Sequence, residues 1–298
     1  MATKKGYIVI NISQLHKSYL VTQLDAFKKE FKSLGCDLRV VLNTDAYEKI
    51  SKDKNVKFIL FWDKDIALMD RLSNLKIRLF NNLEAISICD DKALNYSRFI
   101  KFGVNTPITY VLPLIYSINF SKQYKLDDYV NSAIKMVKSY KLKYPMLVKP
   151  RRGSLGWGIV YIRNEKELRE NIKLKYNQDI LIQQYIGYEP AKDYRVYLIN
   201  NKVEEVVIRE NKKDLFRSNV ALGGTMKIMH NPPKALLKEA INASKATKLE
   251  FGAIDIVKDK NNKFYVLEVN SNARTQTIDT LTKTSLTRRV CKYILENI

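Results

Sequence analysis

Residues 145–160 have the sequence PMLVKPRRGSLGWGIV. An apolar run typical of a buried strand ends at Lys149, and a loop with three glycines leads into a second strand-like run over 158–163. Glycines let backbone N–H groups approach phosphate oxygens, and a lysine at the end of a strand adds a positive charge. The pattern is not a Walker A motif, because GK[ST] is missing, and a strand rather than a helix follows the loop. It predicts a loop that covers a triphosphate, although a plain glycine-rich hairpin turn explains this stretch equally well on its own.

A second group of functional residues is predicted in residues 251–273, FGAIDIVKDKNNKFYVLEVNSNA. Two apolar strands flank an Asp-Lys-Asn-Asn turn, and Glu268 and Asn270, two residues apart, project from the same face. We expect Leu267 and Val269 to point the other way, into apolar packing. Together with Asp255 on the first strand, Glu268 and Asn270 offer oxygen ligands that suit a hard cation, Mg²⁺ or in its place Mn²⁺. In the alternative interpretation, these three side chains are solvated polar positions of an amphipathic hairpin. The predicted phosphate-binding loop favours the interpretation as a metal site.

The first hundred residues predict an α/β lobe. Apolar β-type runs alternate with a helical pattern that places Leu24, Phe27, Phe31 and Leu34 on one face and ends at Gly35. Strands that are separated by helices imply a parallel sheet with covering helices. The four predicted strands are residues 7–12, 37–43, 56–62 and 77–81.

The rest of the chain predicts α+β structure. A helix that starts after Asp90 or Asp91 ends at Gly103, and a later helix is capped by Asn164. A hairpin turn is expected at Asn200 and Asn201. The further predicted elements are a helix over 126–142, strands over 145–150, 158–163 and 180–186, and a closing helix that ends in CKYILENI. The prediction is thus of three lobes: 1–105, 106–180 with the glycine-rich loop, and 181–298 with the metal site.

Composition excludes several classes of protein and several kinds of site. The 298 residues include only two histidines, His16 and His230, which leaves no histidine cage for a metal and no histidine-centred nucleophile. The three cysteines are far apart and form no CxxC pair, so neither a disulfide framework nor a zinc site is indicated. No signal peptide or membrane-spanning run is recognised, so we expect a cytoplasmic protein without membrane association.

The formal net charge of +21 would attract nucleic acid, anionic membranes or acidic substrates. Lysines are scattered along the whole chain, however, and no arginine-rich arm or repeat of alternating aromatic and basic residues is present. Dedicated binding of nucleic acid is therefore not expected.

Five segments, taken in order, resemble the ATP-grasp carboxylate–amine ligases of the ribosomal protein S6 glutamylation type. They are DDKALNYSRFIKFGVNTPITYV, YPMLVKPRRGSLGWGI, ILIQQYIGYEPAKDYRVYLI, LFRSNVALGG and FGAIDIV followed by YVLEVNSN. The resemblance covers residues 75–298, whereas the preceding residues match only in their alternating pattern. It implies a three-lobed ATP-grasp fold, with a parallel-sheet domain before the two lobes that hold ATP.

The resemblance also implies a role for individual residues. Lys149 and the loop residues Gly153, Ser154, Gly156 and Gly158 would contact the phosphates of ATP. Gln184 and Tyr185 would lie at the adenine, Asp193 would reach the ribose, Lys92 would lie near the nucleotide, Arg217 and Asn219 would face phosphate and substrate, and Asp255, Glu268 and Asn270 would bind Mg²⁺. Lys149 and Arg217 would be the catalytic cations.

Two departures from the family pattern concern the adenine and the substrate. Gln184 stands where family members commonly have an acidic residue, so only a main-chain contact to adenine is retained. Residues 271–274, Ser-Asn-Ala-Arg, replace the usual small-Pro-Gly sequence on the acceptor side of the site. The substrate therefore stays open, and we expect Arg195, Arg209 and Arg274 to help bind an acidic one, because arginine holds carboxylates bidentately.

The chemistry that the resemblance implies is activation of a carboxylate by ATP. The carboxylate would attack the γ-phosphate, and an amine, such as that of an amino acid, a peptide or a protein tail, would then displace phosphate to form an amide. Phosphoryl transfer needs mainly positioning and positive charge, which is consistent with a site without histidine. A kinase that phosphorylates a hydroxyl and an inactive, basic binding protein are the alternatives, and a homo-oligomer is left open.

Overall fold

The computed structural model describes residues 4–115, 125–153, 156–187, 191–211 and 223–298. Its strands form three sheets, one parallel and two antiparallel. The mixture of α/β and α+β lobes predicted from the sequence is therefore confirmed. None of the helices in these ranges is long and apolar enough to cross a membrane.

The first sheet is parallel and is covered by helices. Its elements are β1 (Lys4–Ile10), α1 (Ser18–Ser33), β2 (Cys36–Leu42), α2 (Ala46–Ser51), β3 (Val56–Trp62), α3 (Ile66–Ser73), β4 (Arg78–Phe80), α4 (Leu83–Cys89) and α5 (Lys92–Lys101). The strand order is β2-β1-β3-β4. As the helical pattern predicts, Leu24, Phe27 and Phe31 are buried, and Gly35 follows the helix with a φ of +74°.

The second sheet is antiparallel. Its elements are β5 (Thr109–Val111), α6 (Leu126–Ser139), β6 (Met146–Pro150), β7 (Val160–Ile162), α7 (Glu165–Leu174) and β8 (Ile180–Gln184). The strand order is β5-β8-β6-β7. The Asn164 side chain accepts a hydrogen bond from the Glu167 amide, as expected for the cap of α7. Strand β8 pairs within this sheet up to Gln184, so we propose that the central lobe extends to that residue rather than to 180.

The third sheet is also antiparallel. Its elements are β9 (Lys192–Ile199), β10 (Lys202–Glu210), β11 (Thr225–Ile228), α8 (Lys234–Ala246), β12 (Phe251–Lys258), β13 (Phe264–Asn270), α9 (Gln276–Thr282) and α10 (Leu286–Glu296), and the strand order is β11-β10-β9-β12-β13. The hairpin between β9 and β10 turns at Asn200 and Asn201, whose φ angles are +48° and +60°. Both predicted hairpins are confirmed.

A β-bulge in β13 changes the alternation of side chains that the sequence predicts. The register shifts between the pairs Asp255–Glu268 and Ile256–Val266, which leaves Leu267 as the extra residue. Val266 and Val269 therefore both lie in the core under α8, and Leu267 is only partly buried outside it. The expectation that Leu267 packs in the core was wrong, because alternation holds only for a strand without a bulge.

One apolar core joins the first sheet to the third. It contains Phe58 and Phe80 from the parallel sheet together with Phe251 from β12 and residues of α10. The ring of Tyr293 on α10 lies 6.2 Å from that of Phe80 and 6.4 Å from that of Phe251. The N-terminal lobe is thus packed directly against the strands that carry the predicted metal ligands.

Candidate active site

Lys149 is buried near the end of β6, at the glycine-rich loop. Its Nζ atom donates a hydrogen bond of 2.6 Å to Oε1 of Gln183 on the neighbouring strand β8. The Nε2 atom of Gln183 in turn donates to Oγ1 of Thr109 at 2.9 Å. Burial lowers the pKa of Lys149 to about 8, while the charge of Glu268 raises it and that of Lys92 lowers it. The lysine is therefore held in place by neutral groups, within electrostatic range of the predicted metal ligand.

The first part of the glycine-rich loop is fastened to the start of α5. The Lys92 Nζ atom donates to the Gly153 carbonyl oxygen at 2.7 Å, and the Lys92 amide donates to the Arg151 carbonyl oxygen at 3.0 Å. Asp91 caps α5 through the amides of its first turn and also binds the Arg151 guanidinium, with N–O distances of 2.7 to 2.8 Å. The loop therefore lies where the predicted ATP-binding lysine pair, Lys92 and Lys149, comes together.

The glycines of this loop adopt conformations that disfavour other residues. Gly153 has a φ of +124° and Gly156 one of +75°. Gly158 has a φ of +74°, and a Cβ atom there would also lie 3.2 Å from the Pro150 ring. The loop thus needs glycine for its backbone path, which leaves its amide groups unshielded by side chains. Ser154, the fourth predicted loop residue, lies outside the described residues.

The three predicted metal ligands lie together on β12 and β13. Asp255 and Glu268 are directly opposite each other across the two strands. The Asn270 amide nitrogen lies 3.1 Å from Oδ2 of Asp255 and 3.4 Å from Oε1 of Glu268. The sequence prediction that these side chains share one face therefore agrees with their placement.

Two arginines bind the Asp255 carboxylate, Arg195 from the adjacent strand β9 and Arg209 from β10, one strand further along the sheet. Arg195 contacts both carboxylate oxygens at 2.7 Å, and Arg209 approaches Oδ2 at 3.2 Å. Arg209 also holds Asp193 at 2.7 and 2.5 Å. Burial alone would raise the pKa of Asp255, but the positive charges of Arg195 and Arg209 outweigh burial and keep its pKa below the usual value. Asp255 is therefore ionised, as a carboxyl group that binds a cation must be.

These residues fit a hard divalent cation. Asp255 and Glu268 supply two carboxylates and Asn270 an amide, and turning that amide over would present its oxygen beside them. Among the residues that the structure describes, no group of three or more histidine, cysteine or acidic side chains could hold a metal. The candidate set of Asp255, Glu268 and Asn270 therefore depends on the asparagine as its third ligand.

The side chain of Gln184 points away from the loop of Lys149. Its Oε1 atom accepts from the Lys143 amide at 2.8 Å, and its Nε2 atom donates to the Lys143 carbonyl oxygen at 3.0 Å. Tyr185 is partly buried with its ring 5.2 Å from that of Tyr161, and its hydroxyl occupies the space where a side chain at Gly187 would lie. Adenine contacts by Gln184 and Tyr185 stay a prediction; the Gln184 amide itself donates to the Ile108 carbonyl oxygen at 2.8 Å.

On the acceptor side, residues 271–274 contact the N-terminal lobe. The Asn272 side chain donates to the carbonyl oxygen of Asp63, just after β3, at 3.2 Å. The Arg274 guanidinium lies 5.2 Å from the ring centre of Tyr19 on α1. Asn272 thus lies at the carboxyl end of β3, the edge at which α/β sheets commonly bind ligands, and Arg274 lies against the first turn of α1.

Sequence reasoning missed two sets of residues, and it placed three site residues, Ser154 among them, where the structure does not describe the chain. Gln183 was overlooked because its neighbour Gln184 matched the family position, although alternation along β8 puts only one of them beside Lys149. Asp91 was predicted as a helix cap but not as a partner of Arg151, which no local pattern shows. Arg217 and Asn219 lie outside the described residues, so their roles stay predictions.

Comparison with known proteins gives matches over most of the chain. The model of the RimK-like ATP-grasp domain matches residues 114–294. A protein of Mycoplasma pneumoniae, called "Uncharacterized protein MG012 homolog", is 30% identical over 235 residues, which are 76% of this chain and 74% of that protein. A "Probable alpha-L-glutamate ligase" of Coxiella burnetii is 34% identical over 155 residues, so this chain spans about half of its length, 51%.

A solved structure shows the same fold. The crystal structure of the D-cycloserine synthetase DcsG superposes with a TM-score of 0.73 over 98% of this chain and 99% of its own, at 13% identity. At that identity the likeness supports the fold and no particular substrate. The match to the family model, which covers more than half of the chain, shows that this chain is a member of the RimK-like ATP-grasp family.

Proposed function

We propose that this protein is an ADP-forming carboxylate–amine ligase that uses MgATP and forms an amide through an acylphosphate. The observation that supports it most directly is the placement of the buried Lys149 within electrostatic range of Glu268. Lys149 belongs to the central sheet and Glu268 to the C-terminal sheet, next to two further oxygen ligands. The cation proposed for the phosphates and the proposed metal ligands thus come from two different sheets, an arrangement that would suit MgATP bound between them.

In this proposal the protein's own groups bind and orient the nucleotide. Lys149, Lys92 and the backbone amides of the glycine-rich loop hold the phosphates, and Arg217 and Asn219 complete that side. Asp255, Glu268 and Asn270 would hold Mg²⁺, which neutralises charge on the transferred phosphoryl group when it is bound.

The reaction consists of two displacements. A substrate carboxylate oxygen bonds to the γ-phosphorus while the bond to the ADP oxygen breaks, which gives an acylphosphate and ADP. The amine nitrogen then bonds to the acyl carbon while the bond from that carbon to the phosphate oxygen breaks, and the released phosphate or water accepts the proton that the nitrogen loses. Since the reacting groups only need alignment and positive charge, the cations named above are sufficient without a histidine.

The proposed substrates are an amino acid and an acceptor that is a peptide, a protein tail or a small molecule. Glutamate is the first amino acid to test, because the Coxiella burnetii relative is named as a probable α-L-glutamate ligase. Arg274 is the arginine that we propose for the substrate carboxylate. Contact of Arg195 or Arg209 with the substrate would require their ion pairs to open, so we propose instead that they fix Asp255 and Asp193.

We also propose that the enzyme acts in the cytoplasm. Its three cysteines are buried thiols rather than disulfides, which is consistent with a reducing compartment that supplies ATP.

The test is incubation of the protein with MgATP, a panel of amino acids and acidic peptides, with phosphate release and product mass as the two measurements. A ligase releases phosphate in step with a product that has gained one amide bond. A kinase instead gives a phosphorylated product without free phosphate, and a binding protein turns over no ATP. Lys149→Met should abolish turnover, whereas Lys166→Met, at an exposed position in the same lobe, should not.

A further inference from the structure

Asn81 follows β4 in the N-terminal lobe, and its side chain is completely buried. Its Oδ1 atom accepts hydrogen bonds from the amides of Glu250 at 3.0 Å and Phe251 at 3.1 Å. Its Nδ2 atom donates to the carbonyl oxygens of Phe251 at 2.9 Å and Ser271 at 3.0 Å. Both acceptor sites and both hydrogens of the carboxamide are therefore used, and all four bonds go to the ends of β12 and β13.

These bonds fix the backbone next to a predicted metal ligand. The last residue pair of β12 and β13 is Ala253 with Asn270, and Ser271 comes directly after Asn270. Beyond that pair, the Asn81 carboxamide joins the start of β12 to the residue that follows β13. On the other side, a Cβ atom at Gly252 would lie 2.4 Å from the Asn270 carbonyl oxygen. The Asn270 backbone is thus held between Gly252 and the bond from Asn81 to the following residue.

We propose that Asn81 is a positioning residue for the metal site, which sets the place of Asn270 relative to Asp255 and Glu268. The proposal rests on the proposed function, because it takes these residues as the metal ligands. It adds that a residue of the N-terminal lobe, outside the two lobes that would hold ATP, determines metal affinity. Groups that orient metal ligands typically change metal affinity by about 10- to 100-fold when they are replaced.

The test compares metal binding by wild-type protein and the Asn81→Ser variant. Serine keeps a polar group but is too short to bridge Phe251 and Ser271. With Mn²⁺ as the probe and electron paramagnetic resonance as the readout of unbound ion, the variant should bind Mn²⁺ about 10-fold more weakly. The KM for metal should rise by the same factor at saturating ATP, with a smaller change in kcat.

Asn82→Ala is the matched control. Asn82 also crosses to the C-terminal lobe, through the Lys248 carbonyl oxygen at 3.1 Å and the Glu250 carboxylate at 3.4 Å, and it caps α4. Unlike Asn81, it forms no hydrogen bond with the described backbone of residues 270–271. This variant should lose stability and keep wild-type Mn²⁺ affinity. Equal Mn²⁺ affinity of wild type and a folded Asn81→Ser variant would overturn the proposal.

A measurement on the wild-type protein decides the matter if Asn81→Ser does not fold. Coupling between two sites is reciprocal, so Mg²⁺ with a non-hydrolysable ATP analogue should slow hydrogen exchange at the Glu250 and Phe251 amides, which bind Asn81. Unchanged exchange in the metal-bound protein would contradict the role of Asn81. Failure of wild-type protein to bind Mn²⁺ at all would instead refute the proposed metal site and with it the proposed function.

Discussion

The ammonium group of Lys149 lies 2.6 Å from the amide oxygen of Gln183, with both side chains buried. A neutral partner orients the lysine without cancelling its charge, which stays available for a phosphate. A carboxylate in the same place would form a buried ion pair and compete with the nucleotide.

Gln183→Glu should therefore weaken ATP binding. The new carboxylate would pair with Lys149 and raise the pKa of the lysine, but it would also neutralise the positive charge that the phosphates meet. We expect the KM for ATP to rise about tenfold, which corresponds to roughly 1.4 kcal/mol. Steady-state kinetics at saturating amino acid measure this.

The matched control is Gln178→Glu, which adds the same charge at an exposed position of the same lobe. It should leave the KM for ATP close to the wild-type value. If Gln183→Glu and Gln178→Glu had equal effects, overall charge rather than the contact with Lys149 would be responsible.

Lys149 should also give the protein a characteristic pH dependence of stability. Its folded-state pKa of about 8 lies below the ordinary value of 10.5, so between these two values the unfolded chain binds a proton that the folded protein lacks. The free energy of unfolding should therefore rise with pH across this window. Below about pH 8 the destabilisation is complete and amounts to about 3 kcal/mol.

Lys149→Met removes this titration. We expect the variant to exceed the wild type in stability by the largest margin at pH 7, and the margin to shrink as the pH approaches 10. Urea unfolding of both proteins without metal, at several pH values, measures the difference, in which the tyrosines and other lysines cancel. A margin that does not vary with pH would show that the pKa of Lys149 is not lowered.

The elements of the fold were predictable because they depend on local patterns. The burial of Phe27 and Phe31 follows from helical spacing, and the caps at Asp91 and Asn164 follow from residue type and position. The turn at Asn200 and Asn201 likewise needs only residues that tolerate positive φ.

Contacts between strands were not predictable in the same way. The pairing of Arg195 with Asp255 depends on β9 lying next to β12, and alternation identifies the faces of a strand but not its neighbours. The bulge at Leu267 has no glycine or other local signal in the sequence. For the same reason Arg195 and Arg209 were expected at the substrate, when their closest partners are carboxylates of the adjacent strands.

The contact between Asp91 and Arg151 should keep the glycine-rich loop in place for ATP. Asp91→Asn retains a good helix cap but loses the charge that binds the Arg151 guanidinium, and hydrogen bonds to charged groups contribute about 1.5 to 3 kcal/mol. We expect the KM for ATP to rise several-fold in Asp91→Asn and in Arg151→Met.

A double-mutant cycle tests whether the two residues act through their contact. The double variant Asp91→Asn with Arg151→Met should be little worse than either single variant. Arg152, whose side chain is 69% exposed and 4.0 Å from Asp91, provides the control, since Arg152→Met should change the KM for ATP much less. Fully additive effects of Asp91→Asn and Arg151→Met would contradict a shared role.

Arg209 should be essential for stability rather than for substrate binding. Its side chain is 5% exposed and binds the carboxylates of Asp193 and Asp255, so Arg209→Met would leave Asp193 buried without this partner. Removing one member of a buried ion pair costs about 3 to 5 kcal/mol.

Arg163→Met, at a side chain that is 64% exposed beside Glu167, should cost much less because solvent screens that pair. Adding Asp193→Asn to Arg209→Met removes the buried negative charge that Arg209 had bound, so the double variant should recover part of the stability lost. Urea unfolding at pH 7 measures all of these variants, and a stable Arg209→Met protein with weakened binding of the amino-acid substrate would restore the substrate role predicted from the sequence.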